Sequence, residues 1–448
     1  MTQRITINTP IVFSDPLPDS VDLVVIGGGV IGIFTALYAA QMGQRVLVCE
    51  KGRIAAEQSS RNWGWIRQHG RDAAELPIMM QALRLWHQTH EATHQACGVK
   101  TVGVNFLASS EAEVEQLHLW LDIAKQHDLD THPLSRKQLN GLFRGHASQQ
   151  WCGGLATPSD ARGEPWQAVP KVAQLAHAQG VIIRENCAVR GLDLAAGQVV
   201  GVYTEQGRVA CSQVVLAGGA WSSLMARNLG LYLPQLTVQA SVAQTQPMDA
   251  FTEANSVDER LAIRRRADGG YSLALADSHR VYVGPDALRH ARAYLPLLGK
   301  SWRHLRLASV SPKGFPDAWS TPRRWAADQL SPFEQNRVLE PKTDVGMEKL
   351  MLKRFQQRFP NISLPRIKDR WSGMIDTMPD VVPVVDRIAE VPGLIVATGM
   401  SGHGFGIGPG FGRVVARMVN ERLAEHDLSR FRYNRFSDGS QLELGPSL

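Results

Sequence analysis

Residues 21–50 read VDLVVIGGGVIGIFTALYAAQMGQRVLVCE, and this stretch decides the fold. The opening run, VDLVVI, is rich in apolar β-branched side chains, which is typical of a strand covered on both faces in a parallel sheet. Glycines follow at once, then apolar residues at helical spacing, a candidate helix end at Gly43 and a second strand that stops at Glu50. The sequence predicts a βαβ unit with Gly-x-Gly-x-x-Gly at its first turn.

The three motif glycines, Gly27, Gly29 and Gly32, each have a physical role. The first permits a tight turn, the second lets a pyrophosphate approach the backbone, and the third lets helix and strand pack closely. The helix N-terminus offers free N–H groups and a positive dipole end to the phosphates. Glu50, 18 residues past Gly32, is placed to accept from ribose hydroxyls and would repel a 2′-phosphate. The unit therefore favours FAD or NAD over NADP.

Composition excludes several other classes of protein. The 448 residues are 44% hydrophobic and 20% charged, which rules out global disorder. A net charge of +6 is mild for this length, and we interpret Arg264-Arg265-Arg266 as a strand edge rather than a nucleic-acid site. The five cysteines form no CxxC pair, so neither a disulfide framework nor a metal site is predicted. No signal peptide or membrane span is expected, and the predicted location is cytoplasmic.

Two further glycine-rich turns follow apolar strands. They are VVLAGGAWSS at 214–223 and LIVATGMSGHGFGIGPGFGR at 394–413, the latter followed by an amphipathic helix beginning at Val414. A glycine turn that opens a helix presents N–H groups, which would stabilise the negative charge of a reduced flavin. NAD needs no such late element, so the third turn favours FAD.

Taken together, these segments resemble the FAD-dependent D-amino acid oxidase superfamily, which includes glycine oxidase, sarcosine oxidase and bacterial D-amino acid dehydrogenases. The matching pieces, in the family's order, are residues 22–51, VVLAGGAWS, WSGMIDTMPDVVPVV at 371–385 and ATGMSGHGF at 397–405. The resemblance implies an α/β protein with a discontinuous Rossmann-like FAD-binding domain (20–100, 155–235 and 370–430). It also implies an α+β substrate domain (101–154 and 236–369) built on a mostly antiparallel sheet.

The resemblance and the glycine turns together define a set of expected FAD contacts. In the loop EQSSRNWGWIRQHGRD at 57–72, serines and Arg61 would meet phosphate and tryptophans would wall the flavin; the alternative is a surface loop held by two core tryptophans. The sarcosine oxidases' covalent attachment uses a Cys in the region that is here 371–378, which has none, so FAD is expected to be non-covalent. The expected contacts are Gly27, Gly29, Val30, Ile31, Gly32, Glu50, Lys51, Ser59, Ser60, Arg61, Asn62, Trp63, Gly64, Trp65, Val189, Ala217, Gly218, Trp221, Gly373, Gly402, His403, Gly404 and Phe405.

Substrate contacts and catalytic groups are fewer. Family members that bind carboxylates often carry an Arg after the Trp-x-Gly motif, where this chain has Ile375 and then Asp376. Asp376 is a candidate to attract a cationic amine, or else it caps a turn. His403 is a candidate for proton transfer beside the flavin, or else a structural histidine. Arg67 and Tyr282 are the other substrate candidates. Arg265 and Arg266 are alternative carboxylate clamps, and His69 is a weaker candidate than His403 for proton transfer.

The resemblance implies oxidation of the C–N bond of an amino acid or secondary amine, by hydride transfer to flavin N5, to an imine that hydrolyses. Two alternatives stay open: oxidation of a 2-hydroxy acid, and a flavin-binding subunit of a larger dehydrogenase complex. The acceptor is O2 or an electron-acceptor protein or quinone, and no nucleic-acid partner is expected.

Overall fold

A computed structural model of the chain describes residues 4–301, 305–308 and 310–445. In chain order the strands are β1 (Leu23–Ile26), β2 (Val46–Cys49), β3 (Trp65–Ile66), β4 (Lys100–Thr101), β5 (Val104–Ala108), β6 (His132–Ser135), β7 (Gly153–Thr157), β8 (Ala161–Arg162), β9 (Ile182–Arg184), β10 (Val189–Ala195), β11 (Gln198–Thr204), β12 (Gly207–Ala210), β13 (Gln213–Leu216), β14 (Leu236–Thr245), β15 (Asn255–Val257), β16 (Leu261–Arg265), β17 (Tyr271–Leu275), β18 (His279–Tyr282), β19 (Leu305–Ala308), β20 (Ile367–Thr377), β21 (Val384–Arg387) and β22 (Leu394–Thr398). The helices are α1 (Val30–Gln41), α2 (Gln58–Arg61), α3 (Leu76–Ala92), α4 (Glu111–Gln126), α5 (Arg136–Leu142), α6 (Pro165–Ala178), α7 (Ser222–Asn228), α8 (Pro285–Ser301), α9 (Pro332–Gln335), α10 (Val345–Arg358) and α11 (Gly404–Val419).

The first βαβ unit lies at the centre of a six-stranded sheet ordered β21-β22-β13-β1-β2-β9. Five of its strands run parallel, and β21 joins the edge in the antiparallel direction. The side chains of β1, β2 and β22 are almost entirely buried, as expected for strands covered on both faces. The predicted βαβ unit is therefore present, with α1 packed beside the sheet.

A second sheet has ten strands, in the order β19-β18-β14-β17-β16-β15-β5-β7-β6, with β20 paired to β14. The pairs β15–β5 and β18–β19 are parallel, and the others are antiparallel. The sheet is thus mixed rather than purely antiparallel, because distant chain segments add two strands in the parallel direction. Two three-stranded sheets, β10-β11-β12 and β3-β8-β4, complete the β structure of the described residues.

The last glycine-rich segment differs from the sequence expectation. Helix α11 begins at Gly404 rather than at Val414, so most of the glycines lie inside a helix instead of in a turn. A Cβ on Gly408 would lie 2.5 Å from Val30 Cγ2, and one on Gly412 would lie 2.5 Å from Phe34 Cβ, both on α1. Close packing of α11 against α1 therefore outweighs the low helix propensity of glycine.

The structure also differs from the interpretation of Arg264-Arg265-Arg266 as a strand edge. Strand β16, which carries Arg264, lies between β15 and β17 in the interior of the ten-stranded sheet. Arg264 is buried, and its Nη2 lies 3.1 Å from Glu164 Oε2. Arg266 is also buried and lies over the Trp166 ring at 4.1 Å. A buried carboxylate and an aromatic face thus allow these guanidinium groups to lie inside the fold.

Candidate functional site

A cavity of about 940 Å³ extends from the first glycine turn to the N-terminus of α11. This volume is at the upper end of the ~300–1,000 Å³ of small-molecule and cofactor sites. Its lining includes Glu50 and Val189 together with His403 and Phe405. Most of the expected FAD contacts line it, namely Gly27, Gly29, Val30, Ile31, Glu50, Lys51, Ser59, Arg61, Asn62, Trp63, Trp65, Val189, Ala217, Gly218, Trp221, Gly373, Gly402, His403, Gly404 and Phe405. Gly32, Ser60, Gly64 and Tyr282 lie outside the lining residues.

The glycine turn has the close packing that its motif requires. Gly27 has a φ of +112°, and a Cβ there would lie 2.5 Å from Ala217 O. A Cβ on Gly32 would lie 2.0 Å from Gly27 O, so Gly32 contacts the turn itself rather than the cavity. Gly29 borders open space apart from Ser59 Oγ, at 3.2 Å from a Cβ built there. The cavity side of Gly29 is the face that a pyrophosphate would approach.

Glu50 stabilises this turn by accepting hydrogen bonds with both carboxylate oxygens. Oε2 accepts from the N–H of Gly28 and Oε1 from the N–H of Gly52, each at 2.7 Å. Burial raises the pKa of Glu50, while Lys51 and the two amide donors oppose that shift. Glu50 thus lines the cavity and also holds the backbone that surrounds the expected ribose position.

The loop after β2 is held by its own polar side chains. Ser59 Oγ accepts from the N–H of Val30 at 2.9 Å, which ties the loop to the start of α1. Arg61 is buried, donating from Nε to Ala56 O at 2.9 Å and from Nη1 to Ser372 O at 3.1 Å. Lys51 Nζ lies 2.7 Å from Glu57 Oε1. Arg61 and Lys51 therefore already bind protein groups, and the loop is a rigid wall rather than a loose surface segment.

Two tryptophans of this loop form part of the cavity wall. The rings of Trp63 and Trp65 meet edge to face at 5.4 Å between centroids. Trp65 Nε1 is buried and has no hydrogen-bond partner within residues 4–301, 305–308 and 310–445. Gly64, between them, faces away from the cavity, because a Cβ there would lie 2.6 Å from Gly163 O.

Asp376 lines the cavity but is also engaged by the neighbouring backbone. Its Oδ2 accepts from the N–H of Gly399 at 2.9 Å, and burial raises its pKa. Its Oδ1 is buried without a hydrogen-bond partner in the part of the chain that the structure describes. One carboxylate oxygen of Asp376 therefore caps the turn before α11.

His403 lines the cavity and lies beside a carboxylate that was not predicted from the sequence. Its Nδ1 is 3.7 Å from Oε2 of Glu75, which is fully buried at the start of α3. Burial lowers the pKa of His403 to about 4, and the nearby Arg71 contributes to that shift. His403 is therefore neutral at physiological pH. Glu75 carries no sequence signal, since an acid at the start of a helix is common.

Arg67 lines the cavity, whereas the other candidate arginines for a carboxylate clamp, Arg265 and Arg266, do not. Its Nη1 donates to the carbonyl oxygens of His69 and Gly70. It forms no ion pair within the described residues, although burial lowers its pKa to about 9 and leaves it cationic at neutral pH. Arg265 and Tyr282 lie outside the lining residues. Arg265 donates to Met248 O at 2.8 Å and the Tyr282 hydroxyl to Gln239 Oε1 at 2.7 Å.

The aromatic and apolar wall of the cavity near Arg67 was also not predicted from the sequence. It comprises Phe106 and Leu107 on β5 and Leu117 and Trp120 on α4. A detectable signal was the spacing of Glu113, Gln116, Leu117 and Trp120, which places four residues on one helix face. Nothing in that spacing says which cavity the face would meet.

A glycine-lined cavity that begins at the first turn of a parallel βαβ unit defines a dinucleotide-dependent oxidoreductase. The chain belongs to the FAD dependent oxidoreductase (DAO) family, whose profile matches residues 22–418. Proteins of this family are FAD flavoproteins, and FAD is the cofactor here. The open face of Gly29 and the unpartnered polar atoms of Trp65 and His403 fit such a cofactor.

Several characterised proteins are similar to this chain. It is 24% identical to the 4-methylaminobutanoate oxidase (formaldehyde-forming) of Paenarthrobacter nicotinovorans, over 94% of this chain but only 46% of that protein. It is 28% identical to the glycine oxidase of Pseudomonas putida, over 61% of this chain and 72% of that protein. The solved structure of the L-amino acid deaminase from Proteus myxofaciens in complex with anthranilate superposes with a TM-score of 0.90 at 28% identity, covering 96% of this chain and 97% of that one. Among the described residues, no helix is long and apolar enough to cross a membrane.

Proposed function

We propose that this protein oxidises the C–N bond of an amino acid, with Arg67 as the carboxylate clamp. The observation that carries the proposal is a cationic side chain that faces the cavity and forms no ion pair within the described residues. A guanidinium group binds a carboxylate in a planar, charge-assisted geometry. The similar proteins named for glycine, 4-methylaminobutanoate and L-amino acids all act on compounds with a carboxylate and an amine.

FAD, when bound, supplies the acceptor for the hydride that leaves the substrate carbon. Arg67 would hold the carboxylate and so orient the Cα–H bond, which is a positioning effect. His403, neutral because of its burial, adds no positive charge against the substrate amine and is available to exchange a proton. The unpartnered oxygen of Asp376 would accept from the amine. The apolar wall would exclude water from the reacting groups.

The lining favours a substrate with a large apolar or aromatic side chain. Phe106, Leu107, Leu117 and Trp120 line the cavity near Arg67 and provide aromatic and aliphatic surface. The similarity to a deaminase solved with anthranilate, an aromatic carboxylate, supports the same class of ligand. Small amino acids such as glycine would leave this surface in contact with water.

The domain division is also part of this proposal. The six-stranded sheet takes its strands from the segments expected to bind FAD, while the ten-stranded sheet takes most of its strands from the expected substrate segments. The boundaries at 154/155 and 369/370 fall inside β7 and β20, so the chain passes between the two units within strands. The non-covalent state of FAD is supported by the absence of cysteine from 371–378. Denaturation should therefore release the flavin into the supernatant.

The test is anaerobic bleaching of the flavin absorption of the purified holoenzyme by a matched panel. The panel is L- and D-phenylalanine, sarcosine, phenethylamine, which lacks the carboxylate, and phenyllactate, which replaces the amine by a hydroxyl group. Rapid bleaching by one phenylalanine enantiomer, with phenethylamine at least ~100-fold slower, is expected for a clamped carboxylate. Bleaching by phenyllactate and by no amine would overturn the proposal in favour of a 2-hydroxy acid oxidoreductase. Bleaching only after addition of a partner protein would favour a flavin-binding subunit.

The electron acceptor is tested separately with the substrate found. Turnover under air with formation of hydrogen peroxide identifies an oxidase. Turnover only with an artificial quinone or dye identifies a dehydrogenase that passes electrons to a quinone or protein.

A further inference from the structure

Three aromatic rings stack next to the guanidinium group of Arg67, the proposed carboxylate clamp. The guanidinium carbon of Arg67 lies 5.7 Å from the centroid of the Phe106 ring. The Phe106 ring stacks on His69, with 4.1 Å between the ring centroids and 18° between the ring planes. Trp120 then covers His69 at 4.6 Å and 6°. Parallel rings at these separations contact each other over most of their surface.

His69 is held rigidly within this stack. It is 1% exposed, and a 3.1 Å hydrogen bond joins its Nδ1 to Thr157 Oγ1. The hydroxyl of Thr157 is in turn 2.7 Å from that of Thr131. Burial, together with the nearby charge of Arg67, holds the pKa of His69 well below its ordinary value, so the ring is neutral. The carbonyl oxygen of His69 accepts from Arg67 Nη1, so the orientation of the backbone at His69 directs the guanidinium group.

Trp120 is the member of the stack that comes from a different element. It lies on α4, a helix whose buried residues are limited to Ala124. Its Nε1 donates to Arg71 O at 3.4 Å, which joins α4 to the loop that carries Arg67. Its neighbour Leu119 is 65% exposed and points away from this contact. Trp120 therefore joins α4 to the loop at 57–72 that carries Arg67, called here the clamp loop.

We infer that Trp120 is a positioning residue that orients Arg67 through His69 and Phe106, and that α4 thereby controls carboxylate recognition. This inference rests on the proposed function, since it presumes that Arg67 binds the substrate carboxylate. Without the indole ring, His69 loses one of its two stacked neighbours and the clamp loop loses its hydrogen bond to α4. The guanidinium group then samples more orientations, and the binding of a carboxylate is weakened by the entropic cost of ordering it.

The experiment measures binding of two ligands of similar shape to the holoenzyme by perturbation of the flavin absorption spectrum. Anthranilate carries a carboxylate and aniline does not, so their Kd ratio reports the clamp. In Trp120→Ala, the Kd of anthranilate should rise about tenfold while that of aniline stays within about twofold. Trp120→Phe should retain most of the discrimination because it keeps a planar ring. Leu119→Ala, one residue away on the exposed face, is the matched control and should bind both ligands as the wild type does.

A double-mutant cycle separates an action through Arg67 from an independent wall contact. If Trp120 acts through Arg67, adding Trp120→Ala to Arg67→Gln should cause no further loss of anthranilate binding. Parallel weakening of anthranilate and aniline, or additive losses in the double variant, would overturn the inference and make Trp120 a simple wall. Trp120→Leu, which fills the space without a planar ring, provides the same comparison should the alanine variant lose FAD. Failure of the proposed function gives a different result, because Arg67→Gln alone would then leave the anthranilate to aniline ratio unchanged.

Discussion

Replacement of Gly32 by alanine is expected to weaken FAD binding by displacing helix α1 from the glycine turn. The added Cβ would lie 2.0 Å from Gly27 O and 3.2 Å from Val25 Cγ1. Real Cβ atoms essentially never approach another heavy atom closer than 3.0 Å, so one of the two backbone segments must move by an ångström or more. Neither can move freely, because Gly27 is packed on Ala217 and α1 is packed on α11.

The magnitude follows from the cost of overpacking, which is typically ~1–3 kcal/mol. Because the motion opens the turn that faces the pyrophosphate, much of that cost should appear as a rise in the Kd of FAD of about 5- to 150-fold. The assay is fluorescence titration of the apoprotein with FAD, with thermal unfolding of apoprotein and holoprotein measured in parallel. Gly141→Ala is the matched control, because nothing lies within 4 Å of a Cβ built in that helix. An FAD Kd within twofold of the wild type for Gly32→Ala would refute the close-packing argument.

Three further substitutions test separate parts of the site. Gly29→Ala should leave the apoprotein melting temperature nearly unchanged, since the added Cβ meets only Ser59 Oγ at 3.2 Å. It should nevertheless reduce FAD affinity, because the Cβ crowds the pyrophosphate. A large drop in the apoprotein melting temperature alongside the loss of FAD affinity would contradict this prediction. Arg67→Gln should lower kcat/KM for an amino acid ~10- to 150-fold, as for loss of one charged hydrogen bond, with the Arg265→Gln control near the wild-type value; equal effects of the two changes would exclude a specific clamp. Burial raises the pKa of Asp160 to about 7, so this group contributes stability at low pH that is lost as the pH rises through that value. The melting temperature of Asp160→Asn should therefore increase relative to that of the wild type between about pH 5 and pH 8. A difference in melting temperature that does not change with pH would contradict the raised pKa.

Local sequence patterns predicted the βαβ unit, the family and the cofactor. The βαβ unit is recognisable because each part of it, from the apolar strand to the glycine spacing, follows local rules of backbone conformation and packing. The other glycine segments were harder to interpret. Gly404 to Gly412 read as a turn by propensity, yet they form the start of α11 because only glycine lets that helix approach α1 so closely.

Charged residues show the limit of sequence reasoning most clearly. Arg67 and Arg265 were both candidate clamps, and nothing in their neighbours along the chain distinguishes them. The structure places Arg67 among the residues that line the cavity and Arg265 outside them. Glu75, which lies 3.7 Å from the ring of His403, is separated from it by more than 300 positions in the chain, so no short motif contains both.

The amino-acid sequence by itself determined the dinucleotide-binding unit, the choice of FAD and the family, because these depend on backbone conformations that short glycine patterns specify. Only the tertiary structure decided that Arg67 rather than Arg265 lines the cavity, which carboxylate lies beside His403 and which aromatic rings stack near Arg67. Those relations join strands and helices that are distant in the chain. They follow from how two sheets and their helices pack, a property that no local pattern encodes.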